Sequence, residues 1–454
     1  MDSRPNPFKA PATFAPTVPA LPGLPLLGNF LEFRRDQLGL HAHAARRGPI
    51  TRFQLGKFPI YSISDAGLAH EILVDNAAAF RKSAGLQFMV PVLGNGLLTA
   101  EGDLHKRHRK LLAPAFAPKR LAAYGDLMVA ETVNQVRRWR AEQQIDISTE
   151  MMHLTLAIVG KTMFGSDVRL VASTIGDGLE LAMRSVMANF TTPIPVGYHW
   201  PLPRHRKMRR AVKMLDDVVY TLIAEGRAHG TDRGDVLSML LLAADDDGGP
   251  GLSDRQIRDE VMTLLLAGHE TTANALTWTW YELARNRDAL HRLETELAEV
   301  LGDRPATVED LPALPWNLAV IEEAMRLHSP VYETGREALR DVTIGGHVIP
   351  GGSTMVINLR GIHRRPDYYP APLAFRPERM LPAEKKLRPR HHYLPFGAGP
   401  RVCIGAHFAM LEAQLALATM VQQVRLIPLV GNVDPEPLIT LRPRGGLPAI
   451  VERR

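Results

Sequence analysis

The sequence predicts a mostly α-helical protein with a small β-rich part, and three observations lead to this fold class. Apolar residues recur at intervals of three and four from Ala66 to about Ala298, which is the spacing of amphipathic helices. A proline-free segment from about Asp254 to Arg285 predicts one helix long enough to cross a whole domain. Residues 332–360 alternate between apolar and polar, with glycine and proline between the runs, which favours short strands.

The N-terminal elements follow from local patterns. Residues 1–20 contain five prolines and predict an extended arm, after which residues 21–454 form a single domain. The stretch Thr51–Ile63 alternates around Gly56-Lys57, which is typical of a hairpin turn. The acidic, glycine-rich run Asp245–Gly251 predicts a loop.

The C-terminal half contains further helix boundaries. Ser253 and Gln256 form a capping-box pattern at the start of the long helix. The other predicted elements are a helix at Trp316–Leu327, a proline-rich meander at about Arg364–Leu394 and a last helix at about Gly405–Gln423.

Composition and charge exclude several classes of protein. The formal net charge is +6 and the pI about 9.4, but no basic stretch is interleaved with aromatic residues, so we expect no nucleic-acid partner. No apolar run approaches the length of a bilayer span, and residues 1–25 lack the apolar core of a signal peptide. A soluble, cytoplasmic protein without a membrane anchor is therefore expected.

The segment from Phe396 to Gly405 contains the one cysteine of the chain, Cys403. Two glycines and a proline precede this cysteine, which lies just before the last predicted helix. Glycines allow a close approach of the backbone to a flat ligand, and a helix N-terminus stabilises a thiolate. Because a lone cysteine cannot build a four-cysteine zinc or iron–sulfur site, haem iron is the natural candidate for this ligand.

This segment resembles the cysteine loop of the cytochrome P450 superfamily, Phe-Gly-x-Gly-x-Arg-x-Cys-x-Gly, at every fixed position. Glu323-Ala-Met-Arg326 is similar to the Glu-x-x-Arg helix of that family, and Phe375–Arg379 is similar to its meander. The similarity covers about residues 20 to 450. It implies the cytochrome P450 fold, haem b with Cys403 as its iron ligand, and a structural charge cluster of Glu323, Arg326 and Arg379.

The resemblance also assigns contacts to the cofactor. His105 and Arg109 are four residues apart on one helix face, where they can face the haem propionates. The full set of implied cofactor contacts is His105, Arg109, Arg336, Arg401, Phe396 and Gly268.

The centre of the long helix carries a polar cluster, Ala267–Thr272, which resembles the oxygen-activating motif of the family. The resemblance implies that Thr271 donates a hydrogen bond to dioxygen at the iron and that Glu270 relays protons. A zinc-protease motif is excluded, because Ala273 stands where the second histidine would be.

The implied activity is insertion of one oxygen atom of dioxygen into an apolar substrate: a fatty acid, terpenoid, steroid or macrolide-like compound of secondary metabolism. Electrons would come from a separate ferredoxin and its NAD(P)H-dependent reductase, or from a flavodoxin-type donor, and a monomer is expected. A peroxide-driven haem hydroxylase and a non-catalytic haem sensor stay open as alternatives. The residues predicted to line the substrate pocket are Phe88, Met89, Met183, Met187, Phe190, Ala267 and Val331.

Overall fold

The computed structural model describes residues 18–167, 172–190, 192, 198, 200, 202–243 and 252–454. The helices in this part of the chain are α1 (Phe30–Arg35), α2 (Gln37–Arg47), α3 (Ala66–His70), α4 (Ala84–Gln87), α5 (Val90–Leu93), α6 (Gly102–Leu112), α7 (Pro118–Arg137), α8 (Ile147–Phe164), α9 (Ala172–Phe190), α10 (Pro203–His229), α11 (Val236–Leu242), α12 (Asp254–Arg285), α13 (Arg287–Leu301), α14 (Pro315–Leu327), α15 (Leu359–Ile362), α16 (Pro382–Leu387) and α17 (Ala406–Gln423). None of them is both long and apolar enough to span a bilayer. The mostly helical fold class is confirmed.

The strands are β1 (Ile50–Leu55), β2 (Phe58–Ile63), β3 (Phe80–Lys82), β4 (Gln144–Asp146), β5 (Thr334–Ala338), β6 (Val342–Ile344), β7 (His347–Ile349), β8 (Thr354–Ile357), β9 (Val424–Pro428), β10 (Pro435–Pro437), β11 (Leu441–Pro443) and β12 (Pro448–Arg453). One sheet has the order β1-β2-β8-β5-β3, in which only β2 and β8 are parallel. A second has the order β4-β12-β9, and β6-β7 and β10-β11 form separate pairs.

Helix α12 is the centre of the helical part, and its predicted bounds are confirmed. Its N-terminus carries the predicted capping box: the backbone N–H of Gln256 donates to Ser253 Oγ at 3.3 Å, and the N–H of Ser253 donates to Gln256 Oε1 at 2.9 Å. The helix packs against α8, α10, α14 and α17. Residues of its central run, such as Val261 and Leu265, are fully buried, because neighbouring helices surround it.

The predicted hairpin is confirmed, with Leu55 and Phe58 paired across the turn and Gly56 at a φ of +60°. The end of the predicted N-terminal arm packs on this hairpin: Val18 is buried, and Ala20 forms a bridge with Arg52. Packing thus begins before the predicted boundary at residue 20. Residues 1–17 and the predicted loop at 245–251 lie outside the described residues.

The structure contains two strands inside the predicted helical region that the sequence analysis did not predict. Strands β3 and β4 have three residues each, and their partners β5 and β12 lie far away in the sequence, so no local alternation reveals them. Asp146 of β4 caps helix α8 by accepting the N–H groups of Ser148 and Thr149, at 3.3 and 3.2 Å. It also accepts the N–H of Leu447, at 2.6 Å.

The predicted C-terminal elements lie close to their observed positions. Helix α14 begins at Pro315, one residue before the prediction, and α17 begins at Ala406, directly after Gly405. The predicted meander differs in that it contains a short helix, α16, which begins with proline at its first position, where a missing N–H costs no hydrogen bond. This meander leads the chain from the charge cluster to the cysteine loop.

Candidate active site

One cavity of about 330 Å³ lies among α6, α12, β5 and the loop before α17. Its volume falls in the range of small-molecule sites. Most residues that the sequence predicts for a site line this cavity: Ala267, Gly268, Glu270, Thr271, His105, Arg109, Val331, Arg336, Phe396, Arg401 and Cys403.

The cysteine loop is held by its own backbone and by a close contact at one glycine. The N–H of Cys403 donates to the carbonyl of Phe396 at 3.0 Å, which closes the loop. Gly399 has a φ of +71°, and a Cβ there would lie 1.8 Å from the carbonyl oxygen of Leu73. Any other residue would therefore displace the loop. In this loop, the Cys403 side chain faces the cavity.

Two opposing influences act on the pKa of the Cys403 thiol. Burial raises the pKa of Cys403, whereas the N–H of Gly405 and the charges of Arg109 and Lys82 act in the opposite direction. A metal ion bound to the sulfur would add a much larger attraction for the thiolate. The donors and cations around the thiol thus suit a thiolate ligand.

Several basic side chains line the same cavity. Arg401 donates to the carbonyl of Ala100 at 2.7 Å and pairs with Glu101, and Arg109 donates to the carbonyl of Val402 at 2.8 Å. Arg336 on β5 pairs in register with Lys82 on β3. Lys82 also lines the cavity, and sequence reasoning missed it, because the three-residue strand that positions it has no recognisable pattern.

These charges are poorly compensated by the protein itself. Burial, followed by repulsion from Arg336 and Arg401, lowers the pKa of Lys82 to about 7, and burial lowers the pKa of Arg336 to about 10. Burial and the neighbouring arginines lower the pKa of His105 to about 4, which favours its neutral form. A ligand that brings two carboxylates would relieve this repulsion, and the residues present therefore fit a haem with its propionates.

The three residues of the predicted charge cluster are in contact. The guanidinium of Arg326 makes two hydrogen bonds of 2.8 Å with the carboxylate of Glu323, and it donates to the carbonyls of His363 and Pro372. Arg379 Nε lies 3.3 Å from Glu323 Oε1. Glu323 and Arg326 are fully buried, and removing one partner of such a pair typically costs ~3–5 kcal/mol. The cluster therefore fastens α14 to the meander that precedes the cysteine loop.

The polar cluster of α12 presents part of its surface to the cavity. Ala267, Gly268 and Thr271 are accessible there, although most of the helix is buried. The hydroxyl of Thr271 donates to the carbonyl of Ala267 at 2.8 Å. A Cβ on Gly268 would lie 3.0 Å from Val159 Cγ2, so this glycine also lets α12 approach α8 closely.

Glu270 lines the cavity but is almost fully buried. The hydroxyl of Thr440, in the connection between β10 and β11, donates to Glu270 Oε1 at 2.6 Å. Burial raises the pKa of Glu270, because it penalises the charged carboxylate. Sequence reasoning missed Thr440, which lies 170 positions from Glu270 in a turn without any motif.

The predicted substrate pocket is corrected in part. Met89 and Met183 are buried in the main hydrophobic core instead of lining the cavity. Phe88 and Met187 are partly buried and also absent from its wall, and the side chain of Phe190 lies outside the described residues. The apolar wall is formed instead by residues that include Leu97, Leu98, Leu264, Val331 and Ile439.

Comparison with known proteins places this site in a family. The family model described as Cytochrome P450 matches residues 18–447. The chain is 37% identical over 423 residues to cyclooctatin synthase of Streptomyces melanosporofaciens, covering 92% of each chain. It is 32% identical to cyclooctat-9-en-7-ol 5-monooxygenase of the same organism, covering 96% of each chain. It is also 31% identical to pentalenene oxygenase of Streptomyces avermitilis, covering 89% of this chain and 90% of the relative. The chain therefore belongs to the cytochrome P450 family of haem-thiolate monooxygenases.

Proposed function

We propose that this monooxygenase inserts one oxygen atom of dioxygen into an apolar, polycyclic terpenoid alkene or alcohol, using haem b bound through Cys403. The observation that supports it best is a single cavity lined by Cys403, by the Ala267–Thr272 surface of α12 and by an apolar wall. When bound, the haem supplies the activation of dioxygen at the expense of two electrons from a redox partner.

The residues of the chain take separate roles in this proposal. Cys403 holds the iron, and the side chains of Arg109, Arg336, Arg401 and Lys82, together with the N–H of His105, hold the propionates. On α12, Thr271 presents a hydroxyl to the cavity, and the neighbouring Glu270 stores a proton on its buried carboxyl. The apolar wall orients the substrate and excludes bulk water.

The substrate class is inferred from the wall and from the relatives. Leu97, Leu98, Leu264 and Ile439 offer hydrocarbon contacts, which favour a substrate with few polar groups. The names of two relatives describe action on an alkene, pentalenene, and on an alkenol, cyclooctat-9-en-7-ol. A polycyclic terpenoid fits both observations better than a long fatty acid or a macrolide-like compound.

The substrate proposal is tested with a panel of terpenoids, steroids, fatty acids and macrolides. We expect terpenoid alkenes or alcohols to shift the Soret band of the haem and to give products heavier by one oxygen atom. Labelled dioxygen should appear in these products, whereas peroxide without a reductase should support much less turnover. Tight binding and oxidation of fatty acids alone would contradict the assignment.

We further propose a monomer that receives electrons from an acidic ferredoxin, supplied by an NAD(P)H-dependent reductase. Lys106, Arg107 and Lys110 are exposed on α6, whereas His105 and His108 of that helix are buried. Exposed charges steer association, and ions screen them beyond ~8 Å at physiological ionic strength.

Charge reversal at Lys106, Arg107 and Lys110 tests this partner surface. The triple change to glutamate is expected to slow reduction by ferredoxin at least ~10-fold at low salt, and the difference should shrink as salt is added. Reversal of exposed basic residues on α10, such as Lys213, is the control. Equal reduction rates in all variants at every salt concentration would refute the partner surface, and sedimentation of the wild type tests the monomer.

Lys82 provides a test of the propionate contacts. Lys82→Met is expected to weaken haem binding by about 10- to 100-fold, because a hydrogen bond from a charged donor contributes ~1.5–3 kcal/mol. Haem transfer to an apoprotein acceptor measures this loss, with the exposed residue Lys119 changed to Met as the control. Equal haem release from both variants would contradict the proposed contact between Lys82 and a propionate.

A further inference from the structure

The connection between β10 and β11 places a hydroxyl directly against the acid of α12. Thr440 is only 4% exposed, and its Oγ1 lies 2.6 Å from Glu270 Oε1. On its other side, the amide Nδ2 of Asn274 donates to the same Oγ1 at 3.0 Å. Three side chains thus form one hydrogen-bond chain, which ends at the carboxyl.

The hydrogen bonds between Asn274, Thr440 and Glu270 have a defined donor and acceptor order. An amide N–H can only donate, so the oxygen of Thr440 accepts from Asn274, and its own hydrogen remains for Glu270 Oε1. The second oxygen, Glu270 Oε2, is buried and has no hydrogen-bond partner among the described residues. In a protonated carboxyl, the oxygen that accepts a hydrogen bond is the carbonyl oxygen, and the other oxygen carries the proton.

The turn that carries Thr440 is fixed from several sides. The hydroxyl of Tyr332 donates to the carbonyl of Leu438 at 2.7 Å. Trp278 Nε1 donates to the carbonyl of Leu441 at 3.0 Å, and the N–H of Leu441 donates to the carbonyl of Pro330 at 2.8 Å. Because these hydrogen bonds fix the backbone on both sides of Thr440, the fold holds its side chain in contact with Glu270.

We infer that Thr440 is a positioning residue for Glu270. The hydrogen bonds from Asn274 to Thr440 and from Thr440 to Glu270 make Oε1 the acceptor, so that Oε2 is the oxygen that carries the proton that Glu270 supplies. This inference rests on the proposed role of Glu270 as a proton donor. Thr440 itself moves no proton to the substrate side. It determines which oxygen of the carboxyl holds the proton.

The surroundings of Glu270 act on the pKa of its carboxyl in both directions. Burial is the largest influence and raises its pKa, and the charge of Glu180 on α9 acts in the same direction. The hydrogen bond from Thr440 and the charge of Arg442 act in the opposite direction. Because the hydrogen bond from Thr440 lowers the pKa of Glu270, removing the Thr440 hydroxyl favours the protonated form and takes the donor away from Oε1.

Infrared spectroscopy of the haem-loaded protein tests this arrangement without turnover. The stretching band of the Glu270 carboxylic acid is identified as the band that disappears in Glu270→Gln. In Thr440→Val, which keeps the side-chain shape, the band should shift to higher frequency, because its carbonyl oxygen has lost a donor. Thr440→Ser should restore the wild-type frequency, and Thr440→Ala replaces Thr440→Val if the buried methyl disturbs the turn.

Thr277→Val is the matched control for these variants. Thr277 is another buried threonine of α12, and its hydroxyl donates to the carbonyl of Ala273, away from Glu270. This variant should keep both the wild-type band and the wild-type coupling of product to electrons. Thr440→Val should lower the coupling by about twofold to tenfold, the factor that one neutral hydrogen bond provides.

The outcomes separate this inference from the proposed function. An unshifted band and unchanged coupling in Thr440→Val, together with an active wild type, would overturn the role of Thr440 alone. Absence of any carboxylic acid band that depends on Glu270 would also overturn it. A wild-type protein that forms no oxygenated product would instead overturn the proposed function.

Discussion

Cys403→His is expected to abolish the strongly red-shifted Soret band that the reduced wild-type protein should show with carbon monoxide. This band requires a thiolate as an iron ligand, and Cys403 is the one cysteine in the sequence. An imidazole at this position gives a different ligand field, because it donates much less electron density to the iron. Monooxygenase turnover should fall below detection.

The controls for Cys403→His separate ligation from folding. Circular dichroism should show wild-type helix content, since the Cys403 side chain faces the cavity and supports no part of the core. Val402→Ala, one residue earlier in the same loop, should keep the red-shifted band. If Cys403→His kept that band, the sulfur would not be the ligand, and the proposed haem site would have to be abandoned.

Thr271→Ala is expected to uncouple electron consumption from product formation by about 100-fold, the lower end of the ~10²–10⁴-fold that positioned proton transfer contributes. Its hydroxyl, which now donates to the carbonyl of Ala267, can both donate a proton toward the cavity and hold a water molecule; a methyl group can do neither. Dioxygen that is reduced without correctly placed protons leaves as hydrogen peroxide. The variant should therefore consume reduced cofactor and release peroxide.

Comparison with two variants makes this result specific. Thr271→Ser keeps the hydroxyl and should retain most of the coupling, and Thr277→Val removes a hydroxyl of the same helix outside the cavity. Haem content and substrate binding should match the wild type in all three variants. Wild-type coupling in Thr271→Ala would show that protons arrive by another route.

The parts of the structure that the sequence could predict are determined by residues close to one another in the sequence. The hairpin at Gly56-Lys57 and the bounds of α12 follow from turn chemistry, capping and periodicity within a few residues. The pair Glu323–Arg326 is similarly local, and its spacing of three residues predicts the contact that the structure shows.

The remaining features depend on packing between distant segments. Met89 and Met183 are apolar side chains that suit either a pocket wall or a core, and burial decides between the two. Lys82 and Thr440 enter the site through a three-residue strand and a turn, respectively, and both contact residues far away in sequence. No periodicity marks such positions.

The pairing of β4 with β12 has a consequence for synthesis of the protein. Asp146, which caps α8, also binds the N–H of Leu447, 301 positions later. At typical ribosomal rates of ~5–20 residues per second, the β4 edge waits about 15–60 seconds for its partner strand. During this interval α8 has emerged, but the strand that covers its first turn has not. The nascent chain should therefore present this strand edge to chaperones until the segment around Leu447 has been synthesised.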